Sequence, residues 1–324
     1  MTGAPGTGGG NGASGFVSLT NAVLSCRGMS RWYGQVIGIN DVNLDLGPGV
    51  TGLLGPNGAG KSTLMKLVTG QLQPSRGTVT LFGETVWDNP NVMRRLGFCP
   101  EQDNFYEGLT GAQFVSGLAR LNGYSRREAR ERSEKALARV DLLAAKDRKI
   151  GGYSKGMRQR AKLAQALVHE PQVLILDEPL SGMDPIGRRA TIKLIREMGA
   201  AGCTVIVSSH ILHEVEGMTR SILLVHNGRI VAEGDVHEIR DLIDEQPHRI
   251  FMETADARRL AETLVKWSDV QGVRVDEGGV LVETIRPDAF YSRIPALVLE
   301  QGLKVESMTS SDDNLQAVFD YLVR

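Results

Sequence analysis

Residues 55–63, which read GPNGAGKST, constrain the fold of this chain more than any other stretch. They match G-x-x-x-x-G-K-[ST], the pattern of a phosphate-binding P-loop. An apolar stretch at 50–54 precedes the motif and predicts a buried strand, and a helical pattern at 64–68 follows it. Because strand, loop and helix occur in the order that the motif requires, a Gly-rich turn that merely caps a helix is the weaker interpretation.

The residue types of this loop suit a nucleoside triphosphate. Glycines allow backbone N–H groups to turn towards phosphate oxygens, and the N-terminus of the following helix adds partial positive charge. We expect Lys61 to reach the β- and γ-phosphates and the Ser62 hydroxyl to bind Mg²⁺. The predicted nucleotide-binding residues of the loop are Gly55, Pro56, Asn57, Gly58, Ala59, Gly60, Lys61, Ser62 and Thr63.

A second motif lies where the apolar residues 173–176 run into two carboxylates, Asp177 and Glu178. A short, wholly apolar run predicts a strand of a parallel sheet that is buried on both faces. Asp177 is suited to hold Mg²⁺ through water, and Glu178 is suited to polarise an attacking water as a general base. His210 lies just past another predicted buried strand, 204–208, at the carboxyl edge of the predicted sheet, where ligands of such sheets collect.

Composition limits the remaining possibilities. The 324 residues suggest about two domains. A formal net charge of −1 gives no basic field that would favour nucleic acid as a partner. Cys26, Cys99 and Cys203 are far apart, as is typical of reduced thiols rather than of disulfides or a zinc site. No apolar run approaches the roughly 20 residues that span a bilayer, so any membrane part is expected on another chain.

The pattern along the chain predicts three parts. Residues 1–20 are rich in Gly, Ser, Thr and Ala and are expected to be a disordered tail. Residues 21–244 hold the motifs, with a helix-rich region at about 103–165. Residues 245–324 alternate strands and helices in a βαββαβ-like order that predicts a small α+β domain. No catalytic constellation is visible in this last part, so a structural role is the default interpretation, with a dimer-stabilising, regulatory or ligand-binding role left open.

Taken together, the motifs resemble those of the ATP-binding cassette (ABC) ATPases, the nucleotide-binding subunits of ABC transporters. Residues 55–63 match Walker A, and Asp177 and Glu178 end Walker B. By this resemblance Tyr33 stacks on adenine, with Trp32 as the alternative, and His210 contacts the γ-phosphate. The segment SGMD containing Asp184 resembles the D-loop, and YSKGM, which contains Ser154, Lys155 and Gly156, falls where the family has its LSGGQ signature.

The resemblance implies an α/β fold, a P-loop NTPase cassette. Its sheet is mainly parallel with an antiparallel β edge, it carries a helical subdomain, and here a small C-terminal α+β domain follows. Lys61, Glu178 and His210 are then the expected catalytic residues, with ATP and Mg²⁺ as cofactors. Replacement of Glu178 by Gln is expected to give a closed dimer that hydrolyses ATP very slowly.

Two motifs, the signature and the Q-loop, depart from the family pattern. Lys155 replaces a glycine and Met157 a glutamine in the signature, while Ser154 and Gly156 keep the hydroxyl and backbone groups that contact a γ-phosphate. The Lys155 ammonium could add positive charge there or point to solvent. At the Q-loop, Glu101 falls where the family has glutamine and Gln102 comes one place later. Either oxygen could complete the Mg²⁺ shell, and the register favours Glu101.

The family also implies partners. ATP binds between two cassettes in this family, so one P-loop and one signature predict a homodimer or a heterodimer. A separate polytopic permease is expected, which would hold the chain on the cytoplasmic face of the cell membrane. The YSKGM variant and the appended C-terminal domain resemble ATPases paired with exporter-type (ABC-2) permeases. The alternative is a soluble cassette ATPase acting on ribosomes or DNA, and a P-loop kinase or GTPase would leave the signature and His210 unexplained.

Overall fold

The computed structural model describes residues 22–236 and 247–310. The predicted tail at 1–20 therefore lies outside the described residues. The sequence pattern also predicts a helix from Gly234 to about residue 244, most of which lies outside them, and a helix at 314–322, which lies wholly outside them. The boundary predicted at 244/245 falls in the gap between the two described ranges, so the division into domains stays a prediction.

The first described range contains ten strands, seven α-helices and two short 3-10 helices, Leu143–Ala145 and Ile150–Gly152. The strands are β1 (Leu24–Tyr33), β2 (Val36–Leu46), β3 (Gly49–Leu54), β4 (Arg76–Leu81), β5 (Glu84–Thr85), β6 (Leu96–Cys99), β7 (Val173–Leu176), β8 (Thr204–Ser209), β9 (Ser221–His226) and β10 (Arg229–Asp235). The helices are α1 (Lys61–Val68), α2 (Pro90–Met93), α3 (Gly111–Leu121), α4 (Arg126–Arg139), α5 (Lys155–Leu167), α6 (Pro185–Ala200) and α7 (Leu212–Glu216).

A six-stranded sheet positions the motifs. Its order is β10-β9-β3-β8-β7-β6, and all neighbours are parallel except β10, which returns antiparallel from β9. All four residues of β7 are buried, which explains why this strand is wholly apolar. A four-stranded antiparallel sheet, β2-β1-β4-β5, forms the predicted antiparallel part. The α/β fold class with a mainly parallel sheet is therefore confirmed.

Helices α3, α4 and α5 form the helix-rich region. Thr110 and Ser125 cap the N-termini of α3 and α4, each in a capping box. In each box the hydroxyl accepts from the backbone N–H of the third helical residue, and the side chain of that residue accepts from the backbone N–H of the capping residue. The box at Ser125 and Glu128 was predicted from spacing alone. Ala129, Ala136 and Leu137 lie buried on one face of α4, as the helical periodicity predicts.

Two expected boundaries were wrong. The sequence pattern predicts a loop at 151–157 and a helix from residue 158, but α5 begins at Lys155 because Ser154 caps it: the Ser154 hydroxyl accepts from the Met157 N–H at 3.2 Å. The pattern also ends a strand at 232 and starts a helix at Gly234. Instead β10 continues through Asp235, because Gly234 and Asp235 pair with Ile222 and Ser221 of β9.

The second described range forms a βαββαβ unit, as predicted. Its elements are β11 (His248–Thr254), α8 (Ala257–Leu264), β12 (Val270–Asp276), β13 (Gly279–Thr284), α9 (Pro287–Gln301) and β14 (Val305–Ser310). The four strands form an antiparallel sheet in the order β12-β13-β11-β14. Its apolar cluster, which includes Ile250, Val282 and Phe290, draws only on residues of this range. Across the described residues, no helix combines the length and the apolar character needed to cross a bilayer.

Candidate active site

The P-loop joins β3 to α1, and the glycine before Lys61 is required by its geometry. Gly60 has φ +112°, a conformation that residues with a Cβ rarely adopt. A methyl group on Gly60 would stand 2.7 Å from the carbonyl oxygen of Gly38. Helix α1 begins at Lys61, so the Lys61 and Ser62 N–H groups belong to the helix N-terminus, where anions bind.

The Lys61 ammonium lies inside the loop. Its Nζ donates to the carbonyl oxygens of Gly55 at 2.6 Å and Pro56 at 3.2 Å. Burial lowers the pKa of Lys61, while the negative charges of Glu178, Asp177 and Glu101 raise it. These three carboxylates therefore favour the charged ammonium that phosphate binding requires.

Asp177 and Glu178 follow β7 and share one hydroxyl group of the neighbouring strand. Ser208 Oγ in β8 donates to Asp177 Oδ1 at 2.6 Å and accepts from the Glu178 backbone N–H at 2.9 Å. Ser208 is fully buried. This one hydroxyl fixes both the orientation of the Asp177 carboxylate and the position of the Glu178 backbone.

Glu178 faces His210 across the end of the sheet. Its Oε1 is 3.0 Å from His210 Nδ1, and the Glu178 side chain is 13% exposed. Burial raises the pKa of the Glu178 carboxyl above its ordinary value, while the hydrogen bond and charge of His210 lower it. Glu178 has φ +48°, and such a left-handed conformation of a non-glycine residue is often found at functional sites.

Many of the predicted site residues line one open cavity of about 420 Å³. This cavity brings together residues of the P-loop, the two carboxylates of the Walker B segment, His210 and an aromatic side chain of β1. Its lining consists of Tyr33, Val36, Ile37, Gly38, Pro56, Asn57, Gly58, Gly60, Lys61, Ser62, Thr63, Glu101, Asp177, Glu178, Ser181 and His210.

The sequence left two pairs of alternatives open, Tyr33 or Trp32 at the adenine and Glu101 or Gln102 at the Q-loop, and the cavity lining distinguishes the members of each pair. Tyr33 is 44% exposed and lines the cavity, whereas Trp32 does not belong to the lining. Likewise Glu101 lines the cavity and Gln102 does not. The backbone carbonyl of Glu101 accepts from the buried Lys162 ammonium at 2.6 Å, which anchors the Q-loop to α5. The geometry thus favours Tyr33 and Glu101 over their neighbours.

Other predicted residues do not line the cavity. Gly55 and the buried Ala59 stand behind the loop surface. The signature residues Ser154, Lys155 and Gly156, and Asp184 of the D-loop, are likewise absent from the lining. Ser154 lies at the start of α5 and Asp184 at the start of α6, although the Asp184 side chain makes no capping hydrogen bond.

Sequence reasoning missed two residues that contact the Walker B segment. Ser208 is one, and Gln159 of α5 is the other, since its Nε2 donates to the Glu178 carbonyl at 3.3 Å. Both side chains are polar and buried, and a buried polar side chain is expected to have a hydrogen-bond partner. The position of Ser208 directly after the apolar residues 205–207 is the signal that could have identified it. Their partners, however, are distant in sequence, so a pattern along the chain does not reveal the contacts.

Comparison with known proteins agrees with this geometry. Residues 39–181 match the family model described as ABC transporter. The daunorubicin/doxorubicin resistance ATP-binding protein DrrA of Streptomyces peucetius is 35% identical over 75% of this chain and 74% of that protein. The bacitracin transport ATP-binding protein BcrA of Enterococcus faecalis is 33% identical over 93% of this chain and 96% of that protein. The chain belongs to the ABC transporter ATP-binding proteins.

A solved structure described as the ATP-binding subunit of an ABC transporter is also similar to this ABC ATPase. The two share 31% sequence identity with a TM-score of 0.62, over 68% of this chain and 92% of the solved one. The predicted family, the cassette fold and the role of an ATP-hydrolysing subunit that powers transport are therefore confirmed. Action on ribosomes or DNA is not favoured by these similarities.

Proposed function

We propose that this chain is the ATPase subunit of an exporter, works as a cassette dimer and binds a separate polytopic permease on the cytoplasmic face of a membrane. One observation supports the proposal of a cassette dimer. The cavity holds the P-loop and Walker B, whereas Ser154, Gly156 and Asp184 lie outside it. A second cassette would supply these residues, because each chain contains one P-loop and one signature.

Within that dimer each chain supplies the hydrolytic half of one site. Glu178 orients the attacking water, and Lys61 and His210 stabilise charge on the transferred phosphoryl group. The 3.0 Å contact between Glu178 and His210 supports this pairing, because it joins two residues that both line the cavity. Tyr33 stacks on the adenine, since it is exposed and lines the same cavity.

Mg²⁺ fits the oxygen atoms of this cavity. Ser62 and Asp177 supply a hydroxyl and a carboxylate, and Glu101 adds a second carboxylate to the lining. Mg²⁺ commonly takes one or two carboxylates together with substrate phosphates rather than a cage of protein ligands. Consistent with this, the described ranges contain no cluster of three or more His, Cys, Asp or Glu residues that could hold a metal by themselves. The ion would neutralise phosphate charge when bound.

Export is supported by the relatives. DrrA is a daunorubicin/doxorubicin resistance protein, BcrA is a bacitracin transport protein, and a further relative, from Cupriavidus metallidurans, is a Nod factor export protein with 33% identity. The YSKGM signature and the C-terminal α+β unit agree with the exporter-type group.

A surface beside the Q-loop supports contact with the permease. Tyr106 and Leu109 follow Glu101 in the chain and precede α3, and Tyr106 is 75% exposed. Solvent-exposed aromatic and apolar side chains beside a loop that lines the ATP cavity are suited to bind a partner and to transmit its movement.

The first test uses the Glu178→Gln variant and separates binding from hydrolysis. This variant should bind ATP, hydrolyse it at least about a hundredfold more slowly, and migrate as a dimer in size-exclusion chromatography with ATP and Mg²⁺ but as a monomer with ADP. Near-normal turnover would exclude Glu178 as the general base. A monomer at saturating ATP would exclude the cassette dimer.

The second test addresses the membrane partner. The tagged Glu178→Gln protein is purified with ATP from gently solubilised membranes, with and without Tyr106→Ala. We expect a polytopic permease to co-purify and to be reduced by Tyr106→Ala, but not by Ile186→Ala, which removes a similarly exposed apolar side chain from α6. Recovery of ribosomes or DNA-associated proteins without a membrane protein would contradict the transporter assignment.

A further inference from the structure

The side chain of Lys155 lies against the D-loop of its own chain. Gly182, in the D-loop, has φ +71°. A methyl group built on Gly182 would stand 2.5 Å from Lys155 Cε and 2.6 Å from Cγ, and would overlap Cδ as well. The hydrocarbon part of Lys155 therefore occupies the space that any side chain at residue 182 would need.

The backbones of the two loops are also adjacent. A methyl group on Gly156 would make ordinary contacts of 3.5 Å with the Gly182 carbonyl oxygen and 3.7 Å with Met183 Cα. The first turn of α5 thus rests on residues 182 and 183. The space between the loops is too small for a further layer of side chains.

A second contact lies one helical turn further along α5. Gln159 is four residues after Lys155, so both side chains extend from the same face of the helix. Gln159 Nε2 donates to the Glu178 carbonyl at 3.3 Å, while Lys155 covers Gly182. One face of the signature helix therefore holds both ends of the segment that joins Walker B to the D-loop.

The other side of the D-loop is held by the cassette itself. The Met183 side chain is buried, and its sulfur accepts from Thr191 Oγ1 at 3.3 Å. The Met183 carbonyl accepts from Arg188 Nε at 3.2 Å. Because α6 fixes the loop from that side, the stem of Lys155 completes its enclosure from the α5 side.

We propose that Lys155 is a positioning residue: its hydrocarbon stem joins the signature to the D-loop so that both meet the nucleotide of the partner cassette as one unit. This inference rests on the proposed cassette dimer. The three atoms nearest to a methyl group on Gly182 are all carbons of Lys155, and a lysine commonly lays its stem on a surface while its ammonium stays in water. The stem, rather than the charge, is the part that the contact requires.

Substitutions at residue 155 separate the stem from the charge. Lys155→Met keeps an unbranched stem without the ammonium, and Lys155→Ala removes both. In the Glu178→Gln background, we expect Lys155→Met to leave the ATP concentration for half-maximal dimerisation within about twofold. Lys155→Ala should raise it about fivefold or more, which is the size of a typical contact coupling. ATP binding to the monomer should not change in either variant.

Gly182→Ala tests the same contact from the D-loop. Alanine adds strain at a positive φ and also displaces the lysine stem. When Lys155→Ala is also present, the backbone strain at residue 182 remains, but the overlap with the lysine stem is removed. The loss of dimerisation caused by Gly182→Ala should therefore be smaller in the Lys155→Ala background. Lys193→Ala, which removes an 80% exposed lysine stem from α6, is the matched control and should have no effect.

The outcomes distinguish this inference from the proposed function. If Lys155→Met is as defective as Lys155→Ala, the charge is the required part and the inference is overturned. If Lys155→Ala dimerises like its parent, the inference is also overturned. In both cases the proposed cassette dimer is unaffected. If the parent Glu178→Gln protein binds ATP but does not dimerise, the proposed function and this inference fail together.

Discussion

At the scale of single residues, the hydroxyl of Ser208 connects the carboxylate of Asp177 to the backbone of Glu178 in the proposed active site. Ser208→Ala should leave Asp177 Oδ1 and the Glu178 N–H without this buried partner. Loss of a buried hydrogen-bond partner costs about 1–3 kcal/mol. We expect the kcat for ATP hydrolysis to fall by about tenfold or more, because a displacement of catalytic groups is costly. Steady-state ATPase assays measure this change.

Ser209→Ala is the matched control for Ser208→Ala. Ser209 is the next residue of the same strand and is equally buried, but its hydroxyl donates to Glu214 rather than to an active-site carboxylate. Its replacement should lower the unfolding free energy by a similar amount and leave kcat nearly unchanged. Equal loss of kcat in both variants would show that Ser208 acts through stability alone.

The pH dependence of hydrolysis depends on the contact between Glu178 and His210. Glu178 is proposed as the general base, and a general base must be ionised. Burial raises the pKa of Glu178, while His210 lowers it. In His210→Gln the lowering by charge is lost, so the pKa of Glu178 should rise. The acid limb of kcat should then move to higher pH, in addition to any loss in the maximum. Rate profiles at saturating ATP for both proteins measure this shift, and a limb that stays in place would contradict it.

At the scale of elements, serine residues cap both α4 and α5, but only the serine of α5 is proposed to contact a nucleotide. Ser125 caps α4 and Ser154 caps α5, each through a hydrogen bond to the N3 backbone N–H. Replacing either by Ala should lower the unfolding free energy by about 1 kcal/mol. Only Ser154→Ala should reduce ATP hydrolysis strongly, because Ser154 is proposed to act on the nucleotide of the partner. Urea unfolding and ATPase assays test the pair, and equal activities would remove Ser154 from the site.

The elements also show what a sequence can predict. The P-loop, β7 and the capping box at Ser125 were predicted correctly, because local residue types determine each of them. The extension of β10 through Gly234 was missed, because its pairing with β9 outweighs the weak strand propensity of glycine. Within the site, motif positions could be predicted because they end parallel strands. The contacts of Ser208, Gln159 and Lys155 could not, because they join side chains distant in sequence.

At the scale of the whole molecule, the described ranges contain separate hydrophobic cores. Three clusters draw on residues before 237, and the fourth draws on residues of the βαββαβ unit alone. A domain is commonly recognised by a core of its own. Substitutions in the fourth cluster should therefore affect the C-terminal unit without altering the ATPase cassette.

Phe290→Ala tests this separation. Phe290 is fully buried in α9, and its ring meets Trp267 edge-on with centroids 5.5 Å apart. Truncation of such a phenylalanine costs about 3–5 kcal/mol, which is enough to unfold a small unit at moderate temperature. We expect a calorimetric transition to shift downwards together with the fluorescence change of Trp267, while ATP hydrolysis at low temperature stays within about twofold.

Leu24→Ala, in the core of the cassette, is the matched control for Phe290→Ala. It should lower the unfolding temperature of the cassette and leave the C-terminal transition in place. A loss of cassette stability in Phe290→Ala would mean that the two units unfold as one, and that the C-terminal unit stabilises the ATPase directly.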